Sequence, residues 1–338
     1  MSNDTTTLTK TSAVGALRGD LVQRVIRYVL FAGFIAMVIF FSVAAPRFLT
    51  YGNIINIALS SAILLIISVP FALVVITGKV DLSVGSTLGL SGVVTGVLIT
   101  GGTDWLTAAV LGIVVGALVG AANGAMISVL NLSPIVVTLG MLQVVRGIAE
   151  RVTTQPPSGF GGGMAFLGRG TLFGIPVLVG IALLVLAAGI VFLHFSASGR
   201  HVYGLGVNTE ATFLSGINTR RLSFMTFVAV GAAAGLGGVL LAARLDSAPP
   251  TTLGDGLELQ VLTAVLLGGI AFNGGRGTMF GVVLGVAFLG VLQNGLLLLN
   301  VSTSGQKLAT GAVLLIAAGL EEFGLKRGRM RALIKRSA

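Results

Sequence analysis

The chain has 338 residues, 54% of them hydrophobic and only 9% charged, with a formal net charge of +10. A soluble globular domain carries about 25% charged residues, so this composition excludes one and calls for lipid over most of the surface. Cysteine is absent, which removes disulfides, thiolate nucleophiles and cysteine-ligated zinc, and His194 and His201 lack the spacing of a metal-binding pair.

In chain order, the opening text "MSNDTTTLTKTSAVGALRGD" is polar, carries no signal-peptide pattern and reads as a cytoplasmic tail over 1–27. A helix that crosses a bilayer needs roughly 20 apolar residues to span about 30 Å. Such windows fall near 28–46, 54–77, 83–100, 106–130, 135–153, 176–195, 222–243, 258–273, 278–299 and 308–323. They predict an all-α membrane protein, a polytopic bundle of about ten transmembrane helices in a single membrane domain over 28–323. The window 258–273 is short and suits a half-helix or re-entrant segment. The stretch 154–175 is rich in Pro and Gly and reads as a loop, with room for a short helix. Gly112, Gly116, Gly120 and Gly124 recur four apart, a small-residue row that lets two helix backbones pack closely in lipid.

The basic residues set the orientation. One side collects Lys10, Arg18, Arg24, Arg27, Lys79, Arg200, Arg220, Arg221, Arg276 and the basic stretch 326–336; the other collects Arg47, Arg169, Arg244 and Lys307. Both termini are therefore expected in the cytoplasm. The C-terminal tail over 324–338 then faces anionic lipid and acts as a topology anchor, which accounts for the net charge without nucleic acid.

Charge is scarce inside the spans. Arg146 and Glu150 lie one helical turn apart and are expected to neutralise each other. Few intramembrane acids argue against a proton-driven pump and fit a path for a neutral, hydroxyl-rich solute. Candidate pathway residues are Asn53, Asn56, Asn123, Gln143, Gln293 and Asn294, since polar groups in a bundle are costly unless they line a cavity or bond another helix. The phosphate-binding pattern G-x-x-x-x-G-K-[ST] is absent, so ATP is not expected to bind here in that way. No resident cofactor or metal is expected, and no catalytic residue.

The text "ITGKVDLSVGS" over 76–86 places Lys79 and Asp81 between two apolar windows. Gly78 is expected to end one helix. Asp81 is expected to cap the next by accepting N–H groups near Ser83 and Val84, while Lys79 partly offsets its charge across the turn. Ser83, Gly85 and Ser86 let the following helix start close to its neighbours. A second glycine-rich break, "LLGGIAFNGGRGTMFG", echoes the first and is expected at a similar turn on the same side.

The longest basic loop, "GRHVYGLGVNTEATFLSGINTRRL" over 199–222, holds a short helix with its own punctuation. Asn208 is a good N-cap, Thr209 follows it, Glu210 sits in the first turn where the helix dipole favours an acid, and Gly216 is a natural stop. Ala211, Leu214 and Ile217 recur on one face. Such a helix either lies on lipid or docks into another protein, and Thr212 and Ser215 are positions for probing which.

These texts together carry a resemblance. "GRHVYGLGVNTEATFLSGI" resembles the cytoplasmic loop of bacterial ABC transporter permeases of the ribose, xylose, arabinose and galactose type. "ITGKVDLSVGSTLGLSGVV" looks like the T-G-G-I-D-L-S-V-G-S segment of that family, and "VTLGMLQVVRGIA" and "AVLLGGIAFNGGRGTMFGVVLG" are similar to its other typical segments. The likeness runs over about 28–323. It implies the ABC importer permease fold in the bacterial inner membrane, with a second permease chain, identical or not, completing the pathway. It also implies a cytoplasmic ATPase subunit that hydrolyses the ATP, and a periplasmic or lipid-anchored sugar-binding protein that delivers a monosaccharide. The helix from Asn208 to Ile217 becomes the coupling helix that fits the ATPase, so this chain is a transport subunit and not an enzyme. Lys79 stands where the family has the second glycine of T-G-G, and Asn273 and Arg276 stand in a segment that is usually more apolar. Within the class, an autoinducer-like furanosyl compound, a nucleoside or a branched-chain amino acid are alternative cargoes; an ion-coupled secondary transporter is the alternative outside it.

Overall fold

A computed structural model describes residues 31–334. The elements run α1 (Phe31–Ala44), α2 (Tyr51–Ile76), α3 (Val84–Thr100), α4 (Trp105–Ser128), α5 (Pro134–Val152), α6 (Gly162–Arg169), β1 (Thr171–Leu172), β2 (Ile175–Pro176), α7 (Val177–Phe195), α8 (Ala197–Val207), α9 (Thr209–Leu214), α10 (Thr219–Leu245), α11 (Leu257–Leu267), α12 (Met279–Leu298) and α13 (Thr303–Ile334). A helix lies over each of the apolar windows. Five of these helices, α2, α4, α7, α10 and α12, are long and apolar enough to cross a membrane. The tail expected over 1–27 lies outside the described residues. The last apolar window does not end near 323, since α13 continues into the basic C-terminal stretch.

The axis of the bundle is α2. From Ala62 to Ile76 it is buried on every side, as a helix that is apolar all round must be. Around it pack α7, α10, α11 and α12, with α8 against it as well. The small-residue row of α4 meets a matching row on α10. A side chain at Gly116 would place its Cβ 2.4 Å from the Gly231 carbonyl oxygen and 2.7 Å from the Gly235 Cα, and at Gly120 it would stand 2.3 Å from the Phe227 carbonyl oxygen. The two backbones are therefore in direct contact, the close approach that such rows permit.

The loop after α5 is more ordered than its composition suggests. It folds into α6, which packs against α10 and α4, and the small β1–β2 hairpin, which leads into α7. Asp246, in the left-handed region at φ 53°, accepts the Phe160 N–H at 2.9 Å and pairs with Arg169 at 3.7 Å.

The chain does not leave this end after α10. Residues 246–256 turn back inward along α3, and Arg146 on α5 holds them by donating to the carbonyl oxygens of Pro250 (3.2 Å) and Leu253 (2.8 Å). Arg146 therefore serves the re-entrant segment and not Glu150, which is exposed. The expected i,i+4 pair does not form: Arg146 turns inward to the carbonyls of the re-entrant segment, where its charge also faces Glu258, while Glu150 faces outward. Gly85 makes room for this path, since a Cβ there would sit 2.5 Å from the Gly254 carbonyl oxygen and 2.1 Å from Glu258 Oε2. The following helix, α11, has 11 residues and is about 16 Å long, half a bilayer core. The half-helix reading of this window holds.

Candidate functional site

The loop helix α9 forms where the capping signals place it. Asn208 Oδ1 accepts the Ala211 N–H at 2.9 Å, Glu210 lies in the first turn, and Gly216 follows the helix with φ 83°. Its faces differ from the expectation. Thr212 is the buried residue, 8% exposed, with its hydroxyl donating to the Asn208 carbonyl at 2.8 Å and resting over Gly204 of α8. Ala211 and Leu214 face outward with Thr209, and Ile217 is only half-buried. Phe213 is 63% and Leu214 78% exposed. An open cleft runs beside α9, lined by Thr209, Glu210, Phe213, Ile217 and Arg220.

The sequence did not announce α8, yet it connects α9 to the bundle. Ser196 caps it by accepting the Gly199 N–H at 2.9 Å, and Val202 and Leu205 bury its inner face. Near its end, Gly206 touches two other segments at once. A Cβ there would stand 1.9 Å from the Ile76 carbonyl oxygen and 2.4 Å from the Gly275 nitrogen. The Gly275 N–H donates to that same Ile76 carbonyl at 2.8 Å. Tyr203 adds a bond from its hydroxyl to the Gly277 carbonyl at 2.8 Å, and burial pushes the phenol above its ordinary range, which keeps it a donor. The two echoing glycine-rich breaks therefore meet each other, and α8 binds them both.

Lys79 and Asp81 occupy the first of these breaks, and they do not pair. Among the described residues the ion pairs are Arg169–Asp246 and Lys307–Asp255. Lys79 reaches across to Ser223 at the start of α10, and Ser128 at the end of α4 donates to Ser223 at 2.8 Å. Asp81 points inward and is 2% exposed. Its Oδ1 accepts the Ser83 N–H at 2.9 Å and the Ser83 hydroxyl at 2.6 Å. Asn123 on α4 donates to Ser83 Oγ at 2.8 Å and to both Asp81 oxygens at 3.3–3.4 Å. The expected helix cap is thus corrected: Asp81 closes the turn before α3, whose N-cap is Ser83, and ties that turn to α4. Gly78 takes φ 77° where α2 gives way to the turn.

The candidate pathway residues separate into four groups. Asn123 belongs to the Asp81 network. Asn53 and Asn294 bond each other reciprocally, 2.8 Å in each direction, and so join α2 to α12. Asn56 and Gln143 are exposed on the outer surface of the bundle. Gln293 alone lines a cavity, which it shares with Arg244 and Gln260. Neither of those two was singled out by the sequence, because residues 60, 244, 260 and 293 come together only when α2, α10, α11 and α12 are folded.

Comparison with known proteins gives a consistent result. Residues 53–318 match the family described as "Branched-chain amino acid transport system / permease component". The chain is 38% identical over 294 residues to the ribose import permease protein of Bacillus subtilis strain 168, covering 86% of this chain and 91% of that one. It is 35% identical to the D-allose transport system permease protein of Escherichia coli K12, covering 86% and 89%. It is 33% identical to the L-arabinose ABC transporter permease protein of Azospirillum brasilense, covering 94% and 93%. No solved structure matches the chain.

Proposed function

The chain belongs to the branched-chain amino acid transport system / permease component family, and on that premise we propose that it is the membrane subunit of an ATP-driven importer whose cargo is a monosaccharide. Near-full-length similarity to ribose, D-allose and L-arabinose permeases supports the sugar over the amino acid of the family's general description. The protein is a multi-pass protein of the bacterial inner membrane. Ten of its helices cross or enter the bilayer, both termini lie in the cytoplasm, and the single membrane domain runs from 28 to 323. A second permease chain completes the pathway, a sugar-binding protein delivers the cargo, and a separate ATPase hydrolyses the ATP.

The observation that carries the mechanism is the chain of contacts from α9 through α8 to the two glycine-rich turns. The exposed pair Phe213–Leu214 and the cleft beside it dock into the ATPase. ATPase movement is passed on by α8, whose Gly206 and Tyr203 grip the turn after α2 and the loop before α12. Those turns hold the inner ends of α2, α3, α11 and α12, so the pathway opens and closes with the ATPase. The native absence of cysteine makes this testable by crosslinking. Ser215→Cys, which is exposed, crosslinks to the ATPase subunit, whereas Thr212→Cys, buried against α8, does not. Free labelling of Ser215→Cys without any crosslink in an active complex contradicts the docking.

Cargo is tested by initial uptake of radiolabelled ribose, D-allose, L-arabinose and L-leucine into membrane vesicles holding the complete complex. One or more sugars accumulate and leucine does not. Leucine accumulation with no sugar uptake contradicts the proposal.

A further inference from the structure

We infer that the cavity between α2, α10, α11 and α12 is a polyol-binding site on the transport path, contacted by the sugar after it leaves its binding protein. This rests on the sugar-importer reading above and adds to it the residues that touch the cargo. The cavity lies toward the end of α10 remote from α9: Arg244 is one residue from that helix's C-terminal end, about 37 Å from its start. Its volume is about 170 Å³, room for roughly five or six waters at ~30 Å³ each, the scale of one sugar ring.

The polar lining matches the chemistry of such a ring. A monosaccharide presents hydroxyls that both donate and accept, and it carries no charge. The cavity offers two primary amides, Gln260 and Gln293, two hydroxyls, Ser60 and Ser61, and the guanidinium of Arg244. Amides and hydroxyls donate and accept alike, while the guanidinium adds a fixed fork of donors. No carboxylate lines the cavity, so nothing there favours a cation. Ile63, Leu64, Leu241 and Leu257 form the apolar part of the wall, suited to the C–H face of a sugar.

The two hydroxyls are held differently. Ser61 Oγ is buried and has no hydrogen-bond partner, a costly state for a polar atom unless a ligand or water completes it. Gly290 of α12 faces it, and a Cβ there would lie 2.1 Å from Ser61 Oγ; glycine leaves the hydroxyl its space. Arg244 is steadied by donating from Nη2 to Ser60 Oγ at 3.2 Å. Gln260 lies in the first turn of the half-helix α11, and that helix runs on to the glycine-rich loop gripped by α8. A sugar held by Gln260 is therefore bound to the element through which ATPase movement arrives.

The test uses the reconstituted complex with its ATPase and binding protein, and whichever of ribose, D-allose and L-arabinose the wild type carries. Gln260→Leu and Gln293→Leu are expected to lower sugar moved per ATP hydrolysed by about fivefold or more, the worth of a hydrogen bond or two. ATP hydrolysis stimulated by the loaded binding protein is read in the same complexes, so that lost sugar movement is separated from a lost ATPase response. Unchanged sugar per ATP in both variants overturns the inference. Should either variant fail to assemble, Ser60→Cys decides by comparison with itself: a bulky methanethiosulfonate adduct placed on the assembled complex abolishes whatever uptake the unmodified variant shows. Complete modification with normal uptake overturns the cavity's role. A wild type that moves L-leucine and no sugar removes the functional reading and the polyol ligand together, whereas a sugar-transporting wild type with indifferent variants removes the cavity alone.

Discussion

Gly206→Leu is expected to lower sugar uptake at least about tenfold while ATP hydrolysis by the assembled complex continues. The reason is local and steric. Even a methyl group at this position would meet the Ile76 carbonyl oxygen at 1.9 Å and the Gly275 nitrogen at 2.4 Å, and both are backbone atoms that cannot rotate aside. Overpacking of this kind typically costs about 1–3 kcal/mol, and here it acts at the junction of three segments. The bond from Gly275 to Ile76 lies directly in the path of the new side chain. Separating α8 from the turns leaves α9 free to follow the ATPase without moving the bundle. The signature is therefore hydrolysis that no longer responds to loaded binding protein. Gly206→Ala gives a smaller defect of the same kind. Wild-type uptake in the leucine variant contradicts the account of how α8 transmits movement.

The second large effect is at Asp81, where two substitutions are expected to separate. Asp81→Leu removes the acceptor for the Ser83 N–H, the Ser83 hydroxyl and the Asn123 amide, all in a buried place. Each buried donor left unpaired costs about 1–3 kcal/mol, so the yield of detergent-stable permease falls by about tenfold or more. Asp81→Asn keeps the acceptor oxygen for Ser83. Its new amide also faces Asn123, whose Oδ1 has no partner in the present arrangement, and the chain already builds a reciprocal amide pair of this kind at Asn53 and Asn294. Assembly and most transport are expected to survive. Yield is read by size-exclusion chromatography and transport by uptake per assembled molecule. An Asp81→Asn complex that assembles normally but transports nothing shows that the charge itself is used, and contradicts a role in closing the turn.

Much of the backbone was legible because lipid imposes a simple rule. Long apolar windows become helices, so their positions could be read from hydropathy alone, and the short window at 258–273 correctly signalled a half-helix. Local signals were equally direct. Asn208 and Gly216 punctuate α9 because a side-chain oxygen and a left-handed residue are needed at those places. What escaped were features decided by packing. The text of α8 mixes glycine, arginine and histidine without an apolar stripe, and it is helical because Val202 and Leu205 find a core to enter. Thr212 is buried because Gly204 leaves space beneath it, which no periodicity within α9 reveals. Arg146 has an apparent partner one turn away in the sequence, but its actual partners are carbonyls about a hundred residues on. The cavity residues Arg244 and Gln260 look unremarkable singly and acquire meaning only beside Ser60, Ser61 and Gln293.

The two glycine-rich breaks illustrate how a textual echo becomes a physical contact. Both are turns, and the structure sets them against each other, with Gly78 beneath the Asn273 carbonyl and Gly275 bonded to Ile76. Lys79 reaches Ser223 and so fastens the first break to α10. This side chain adds a polar anchor without filling the space that the glycines keep open.

Sugar conduction under power supplied by another subunit is what this chain is proposed to perform. It is tested most directly in proteoliposomes holding the purified complex, loaded binding protein and radiolabelled sugar, with ATP supplied to the ATPase side and ionophores abolishing every ion gradient. Accumulation is expected to need ATP and to be indifferent to the ionophores. Accumulation that persists without the ATPase subunit and collapses with a proton uncoupler would contradict it.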